Sequence, residues 1–133
     1  THVLPISDIL TLHFPKHNTP SLIIADSKIS LMKKGAILIN CARGGLVDEF
    51  ALSQALRNGR LFGAGIDTFS TEPPENNPLI SLENVILTPH CAGATLANFS
   101  FIAERAIENC VSFISNTALP ELDMVHDPRK IDF

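Results

Sequence analysis

The sequence predicts an α/β fold built on a parallel sheet, and three observations carry that prediction. Short β-like apolar runs alternate along the chain with stretches of helical periodicity, the pattern of strands joined by crossover helices. Residues 36–40 are apolar almost throughout, bounded by glycine and ending in Asn40, as a central strand covered on both faces should be. A chain of 133 residues, 45% hydrophobic and 18% charged, suffices for one domain with a sizeable core and is too apolar for disorder.

The elements follow in chain order. Residues 9–14 form the first strand, stopped by Pro15, and residues 16–20 make a polar, proline-bounded loop. Residues 27–32 read as a short helix entered through Asp26 or Ser27 and ended by Lys33, Lys34 and Gly35. After the strand at 36–40, Asp48 caps a helix running to about Asn58, with Phe50, Leu52, Ala55 and Leu56 facing inward and Gly59 as its left-handed stop. Residues 64–67 form the next strand, whose glycines suit close packing against a helix or a ligand, and residues 85–87 form another, ended by Thr88 and Pro89. The last element is a long helix from about Thr95 to Ser115. There Phe99, Ile102, Ala103, Ala106, Ile107, Cys110, Val111 and Ile114 recur at three- and four-residue steps as one apolar stripe. Beyond Asn116 two prolines and mixed charges break the pattern, and a loosely ordered tail is expected.

Charge and cysteine usage narrow the function classes. Ten Lys and Arg against fourteen Asp and Glu leave a formal charge of −4, and the densest basic run before the tail is only Lys33-Lys34. A surface that tracks nucleic-acid phosphates is therefore not expected. Cys41, Cys91 and Cys110 are odd in number and lack CxxC spacing, which points away from a disulfide framework or zinc knuckle and toward a reducing, cytoplasmic setting. No run approaches the roughly 18 apolar residues of a membrane span. The chain opens at Thr1 in a segment without helix or strand signal, so a piece of a longer protein is expected.

Three charged or titratable residues fall just after strand ends, at the carboxyl edge where open α/β sheets bind their ligands. Arg43 follows the strand at 36–40 and precedes Gly44-Gly45; its planar, permanently charged fork suits a carboxylate or phosphate, or equally a carbonyl cap or a pairing with Asp48. His90 follows the strand at 85–87 and precedes the small residues Cys91, Ala92, Gly93 and Ala94. It can serve as acid and base near neutral pH, or fix its turn by bonding a carbonyl. Glu72 lies five residues after Asp67; a carboxylate beside a histidine orients the ring and favours the imidazolium, whereas alone before Pro73-Pro74 it would be a solvated loop residue. Asp67 ends an apolar strand, where a charge needs partners or a ligand. His2, His13, His17 and His126 have no mutual ligand spacing, and no metal site is expected; His13, near the end of the first strand, can line a site without a defined role. Cys41 is expected to pack rather than act as a nucleophile.

Taken together, residues 38–49 with Asn40-Cys41-Ala42-Arg43-Gly44-Gly45, residues 63–69 with Gly65-Ile66-Asp67, Thr71-Glu72-Pro73, and Thr88-Pro89-His90-Cys91-Ala92-Gly93-Ala94-Thr95 resemble the D-isomer-specific 2-hydroxyacid dehydrogenases. The likeness extends over roughly residues 7–115 and keeps the order and spacing of all three charged residues. It implies hydride transfer between NAD, or NADP, and the C2 of a D-2-hydroxy or 2-oxo acid. By motif match Arg43 would hold the substrate carboxylate, His90 would exchange the hydroxyl proton, and Glu72 would tune and orient His90. The same match implies that Phe14, Pro15, Cys41, Ala42, Arg43, Asp67, His90, Ala92 and Gly93 line the cofactor, with Asp67 receiving the nicotinamide carboxamide.

The resemblance is to part of the family's architecture: the second half of a Rossmann-type, three-layer nucleotide-binding domain over residues 1–115, with a long C-terminal helix and a tail over 116–133. The strand, GxGxxG turn and acidic residue that bind pyrophosphate and ribose are not in this sequence, and Gly63-Ala64-Gly65 begins a strand rather than closing one. The 133 residues alone are therefore expected to be inactive, and their uncovered edge to favour a homodimer. The alternative from another class is a dinucleotide-sensing binding module of corepressor type, which keeps the same triplet without physiological turnover.

Overall fold

The computed structural model describes residues 2–13, 22–120 and 123. Its elements are β1 (Ile9–Leu12), α1 (Asp26–Ile29), β2 (Ile37–Asn40), α2 (Glu49–Arg57), β3 (Gly63–Ile66), β4 (Val85–Leu87) and α3 (Leu96–Ile114). The chain divides into two compact units, Thr1–Ala92 and Gly93–Phe133.

The first unit is a four-stranded parallel sheet in the order β1-β2-β3-β4, with Ile9 beside Ile37, Ile37 beside Gly63, and Ala64 beside Val85. Because side chains alternate along a strand, each strand contributes one set to each face. Leu12, Leu38, Ala64 and Ile66 are buried, with Leu10, Val85 and Leu87 packed beside them, in one core that also takes Ile29 and Met32 from the α1 region and Leu52, Ala55 and Leu56 from α2. Each fully buried Leu of this kind contributes about 1.5–3 kcal/mol. The other set is Ile9, Thr11, Ile37, Ile39, Gly63, Gly65 and Ile86. Within this unit Ile37 and Ile39 are half-buried, while Ile9 and Ile86 are exposed.

Local chemistry sets most boundaries where the periodicity places them, but β1 ends at Leu12 rather than running to residue 14, α1 ends at Ile29 rather than Met32, and two further details differ. The side chain of Asp48 accepts from Ala51 N at 2.9 Å and caps α2, and Gly59 stops it at φ +70°. Phe50, expected to face inward, is exposed. It lies about 160° around the helix from Leu52 at roughly 100° per residue, off the stripe formed by Leu52, Ala55 and Leu56. For α1 the capping position is Ala25, with no side-chain bond, rather than Asp26 or Ser27; its carbonyl accepts from Lys28 and Ile29, and Asp26 instead places its charge in the first turn.

In the second unit Thr95 Oγ1 accepts from Asn98 N at 3.1 Å and starts α3 as expected. Phe99, Ile102, Ile107, Val111 and Ile114 are exposed along it. The expected loosely ordered tail lies largely outside the described residues.

Candidate active site

Since all four strands run the same way, the residues that follow them collect along one edge of the sheet. His13 follows β1, with Thr11 Oγ1 and His13 Nε2 2.7 Å apart. Arg43 follows β2, Asp67 follows β3 and His90 follows β4.

Asn40 shapes the arginine turn. Buried at the end of β2, it accepts from Ala42 N through Oδ1 at 3.1 Å and donates from Nδ2 to the Arg43 carbonyl at 3.1 Å. The Arg43 guanidinium donates to the Ala42 carbonyl at 2.7 Å and, among the described residues, joins no ion pair. Asp48 caps α2, and the side chain of Arg43 is exposed at the edge. Gly44 comes next because nothing larger fits: a Cβ there would sit 1.7 Å from the Phe69 carbonyl oxygen. The arginine turn and the turn after β3 thus touch backbone to backbone.

That second turn carries Glu72. Its Oε1 accepts from Phe69 N at 2.9 Å, and its Oε2 lies 2.9 Å from His90 Nδ1. Glu72 and His90, 18 residues apart, are therefore brought together as the sequence suggested. The hydrogen bond from His90, with that from Phe69 N, holds the Glu72 carboxyl below its ordinary value of 4.5, outweighing partial desolvation and the opposing charge of Asp67. An ionised acceptor at Nδ1 makes that nitrogen the protonated one in the neutral ring and leaves the lone pair on Nε2.

Asp67 is the organiser of the histidine loop. It is 3% exposed; Oδ1 accepts from Thr88 Oγ1 at 2.5 Å and Cys91 N at 2.8 Å, and Oδ2 accepts from Ala92 N at 3.0 Å. These bonds hold His90 at φ +54°, a left-handed conformation that non-glycine residues seldom adopt. Burial alone would raise the Asp67 carboxyl, but the bonds from Thr88, Ala92 and Cys91 and the nearby His90 charge outweigh it and leave it lowered. A lowered carboxyl stabilises the fold fully above its ordinary value of 3.8, and that contribution is lost as pH falls through the lowered one. The protection factors of the Cys91 and Ala92 amides, each taken against the intrinsic exchange rate at the same pH, are accordingly expected to be high at neutral pH and to fall on acidification below the ordinary value of 3.8. Asp67→Asn should lower the protection factors at neutral pH and remove their dependence on pH; protection equal to wild type in the variant would be the contrary result.

A shallow groove of about 260 Å³ runs to this edge over the second sheet face, lined by Ile39, Cys41, Gly65, Asp67, Ile86 and Thr88 among others. Its apolar walls suit the face of a planar ring. The Oδ2 atom of Asp67 accepts from Ala92 N and has capacity for a second donor, as a carboxamide would supply. The residues present thus fit the nicotinamide end of a dinucleotide. Cys41 is half-buried with a free thiol, as expected of a packing residue. Gly93 begins the second unit, where its carbonyl accepts from Asn98 Nδ2 at 2.7 Å, and Phe14 and Pro15 lie outside the described residues. No group of three metal-ligating side chains occurs among the described residues, and no helix there is long and apolar enough to cross a membrane.

Sequence reasoning did not assign roles to Asn40, Gly44, Glu49 or Thr88. Asn40 had a usable signal, a polar side chain closing an otherwise apolar strand, but the other three act through contacts with loops distant in the chain.

Comparison with known proteins identifies the family. Residues 1–92 match the family model for the D-isomer specific 2-hydroxyacid dehydrogenase, NAD binding domain. The chain is 51% identical over 89 residues to a D-3-phosphoglycerate dehydrogenase of Methanocaldococcus jannaschii, covering 67% of this chain and 17% of that protein. It is 40% identical over 116 residues to a glycerate dehydrogenase of Methylorubrum extorquens, covering 85% of this chain and 37% of that one. The solved structure of a D-isomer specific 2-hydroxyacid dehydrogenase from Lactobacillus delbrueckii ssp. bulgaricus, in its NAD-complexed form, superposes with a TM-score of 0.80 at 31% identity, over 90% of this chain and 40% of that one. These relatives are dehydrogenases, and they lend no support to the corepressor alternative. The chain belongs to the D-isomer-specific 2-hydroxyacid dehydrogenases, and its parallel sheet, with the carboxyl edge that carries Arg43, Glu72 and His90, is part of their NAD-binding domain.

Proposed function

We propose that these residues supply the proton-transfer and carboxylate-binding side of a dehydrogenase that interconverts a D-2-hydroxy acid and its 2-oxo acid. The observation that carries the reading is the 2.9 Å contact between Glu72 Oε2 and His90 Nδ1, on the sheet edge that also carries the exposed Arg43. NAD, or NADP, when bound, accepts the hydride from C2 in oxidation and returns it in reduction. Asp67, Cys41 and Ala42 would hold its nicotinamide end, with Ala92 and Gly93 on the turn after β4; the family resemblance adds Phe14 and Pro15.

The chain's own groups handle the proton and the carboxylate. In oxidation His90 Nε2 takes the hydroxyl proton as the C2 hydride leaves, so the alcohol becomes a carbonyl and the imidazole an imidazolium beside Glu72. In reduction the same nitrogen returns the proton to the carbonyl oxygen. Glu72, its carboxyl held below the ordinary value, stays ionised and fixes the ring. Arg43 offers a bidentate fork to the substrate carboxylate, which orients C2.

The test is turnover by a full-length enzyme that contains this segment, followed as oxidation of NADH or NADPH with a panel of 2-oxo acids. Turnover of at least one is expected; failure with every acid and both cofactors would overturn the reading. The 133 residues alone are expected to give none, because they contain no GxGxxG turn to bind the pyrophosphate. The reading includes a homodimer in the cytoplasm, supported by β1 and β4, which stand at the edges of the sheet among the described residues, and by three free cysteines. A monomer mass by light scattering would count against the dimer.

A further inference from the structure

We propose that Glu49 is a positioning residue for the Glu72 and His90 pair, acting through the loop that carries Glu72. The role rests on the reading of that pair as the proton-handling unit.

Glu49 is the first residue of α2, a helix fixed by its Asp48 cap and by the buried Leu52 and Leu56. An acidic residue in a first helical turn is ordinarily explained by the helix dipole alone. Here both carboxylate oxygens are directed elsewhere. Oε1 accepts from Ser70 N at 2.7 Å and from Ser70 Oγ at 2.8 Å, and Oε2 accepts from Asn77 Nδ2 at 2.6 Å. Ser70 adjoins Phe69, whose N–H donates to Glu72, which in turn holds His90. One carboxylate thus ties the helix to the loop on both sides of Glu72, at Ser70 and at Asn77.

Neither anchor is readily replaced. Asn77 cannot turn its amide over without giving up the bond from Leu79 N to its Oδ1 at 3.0 Å, and Leu79 is fully buried. Ser70 presents two donors to one oxygen, an arrangement that charge on the acceptor strengthens. The far end of α2 provides an internal control, because Arg57 donates to Ser81 Oγ at 2.9 Å and so holds the same connection well beyond Glu72.

The experiment is a carbon-detected NMR titration of the Glu72 carboxyl in the 133-residue chain, wild type against Glu49→Ala, Glu49→Gln and Arg57→Ala. The groups that act on Glu72 are His90, Phe69 N–H and the opposing charge of Asp67. Wild-type Glu72 should titrate below the ordinary glutamate value of 4.5. Glu49→Ala should move that midpoint up toward it, as the bonds from Phe69 and His90 lose their geometry. Glu49→Gln keeps an oxygen for Ser70 but sets an amide nitrogen against that of Asn77, and a smaller upward shift is expected. Arg57→Ala should leave the midpoint where it was. An unmoved midpoint in both Glu49 variants, or an equal shift in Arg57→Ala, overturns the proposal. Loss of the circular dichroism of the fold in both Glu49 variants would overturn it too, by assigning Glu49 to global stability. No cofactor or substrate enters the titration, so this result is independent of whether the full-length enzyme turns over 2-oxo acids.

Discussion

His90→Asn in a full-length enzyme containing this segment is expected to lower kcat by roughly 10²- to 10⁴-fold, the contribution of a positioned acid and base. Asparagine is the informative replacement for two reasons. It tolerates the left-handed backbone that His90 occupies at φ +54°, so the turn held by Asp67 is preserved. It also has an amide N–H to offer Glu72 while presenting no group that titrates near neutral pH. The loss should therefore fall on kcat, with KM for the acid little changed, since the carboxylate contact is assigned to Arg43. Steady-state kinetics of the variant with its best 2-oxo acid give the answer; a fall of less than tenfold would remove His90 from proton transfer.

The residues proposed to carry chemistry were legible in the sequence because they are chemically conspicuous where they stand. Arg43, Glu72 and His90 each follow a strand end, and the pairing of Glu72 with His90 appears in the structure at hydrogen-bond distance. The strands were legible for a related reason: β2, β3 and β4 are short apolar runs between turn residues, and only their ends moved by a residue or so. What escaped the reading is the set of contacts that ties one loop to another. Asp67 was noticed as a charge in need of partners, yet that it gathers Thr88, Cys91 and Ala92 depends on β3 and β4 being neighbours. Glu49 looked like an ordinary first-turn acid, and its partners lie 21 and 28 residues on. Phe50 was misplaced because an aromatic near the start of a helix was counted into a stripe that the helical angle does not bring it to.

Gly44→Ala is expected to destabilise the chain by about 3 kcal/mol or more, the upper part of the range for overpacking a well-filled site. The added Cβ would lie 1.7 Å from the Phe69 carbonyl oxygen and 2.3 Å from its carbon. These are backbone atoms, and no rotamer change can relieve the overlap. One of the two turns has to move by more than an ångström before an ordinary contact is restored. Gly35→Ala separates this effect from the general cost of replacing glycine: Gly35 has φ +79° and nothing within 4 Å of where the new methyl group would sit, so only the left-handed penalty of about 1–2 kcal/mol applies. Urea denaturation of the two variants should therefore rank Gly44→Ala well below Gly35→Ala, and a Gly44→Ala change within about 0.5 kcal/mol of wild type would show that the two turns part without cost. The displaced carbonyl belongs to the residue whose N–H holds Glu72, and the residue before Gly44 is Arg43. The same methyl group should therefore disturb the carboxylate fork and the histidine's partner together, which Gly35→Ala, at the opposite end of β2, has no means of doing.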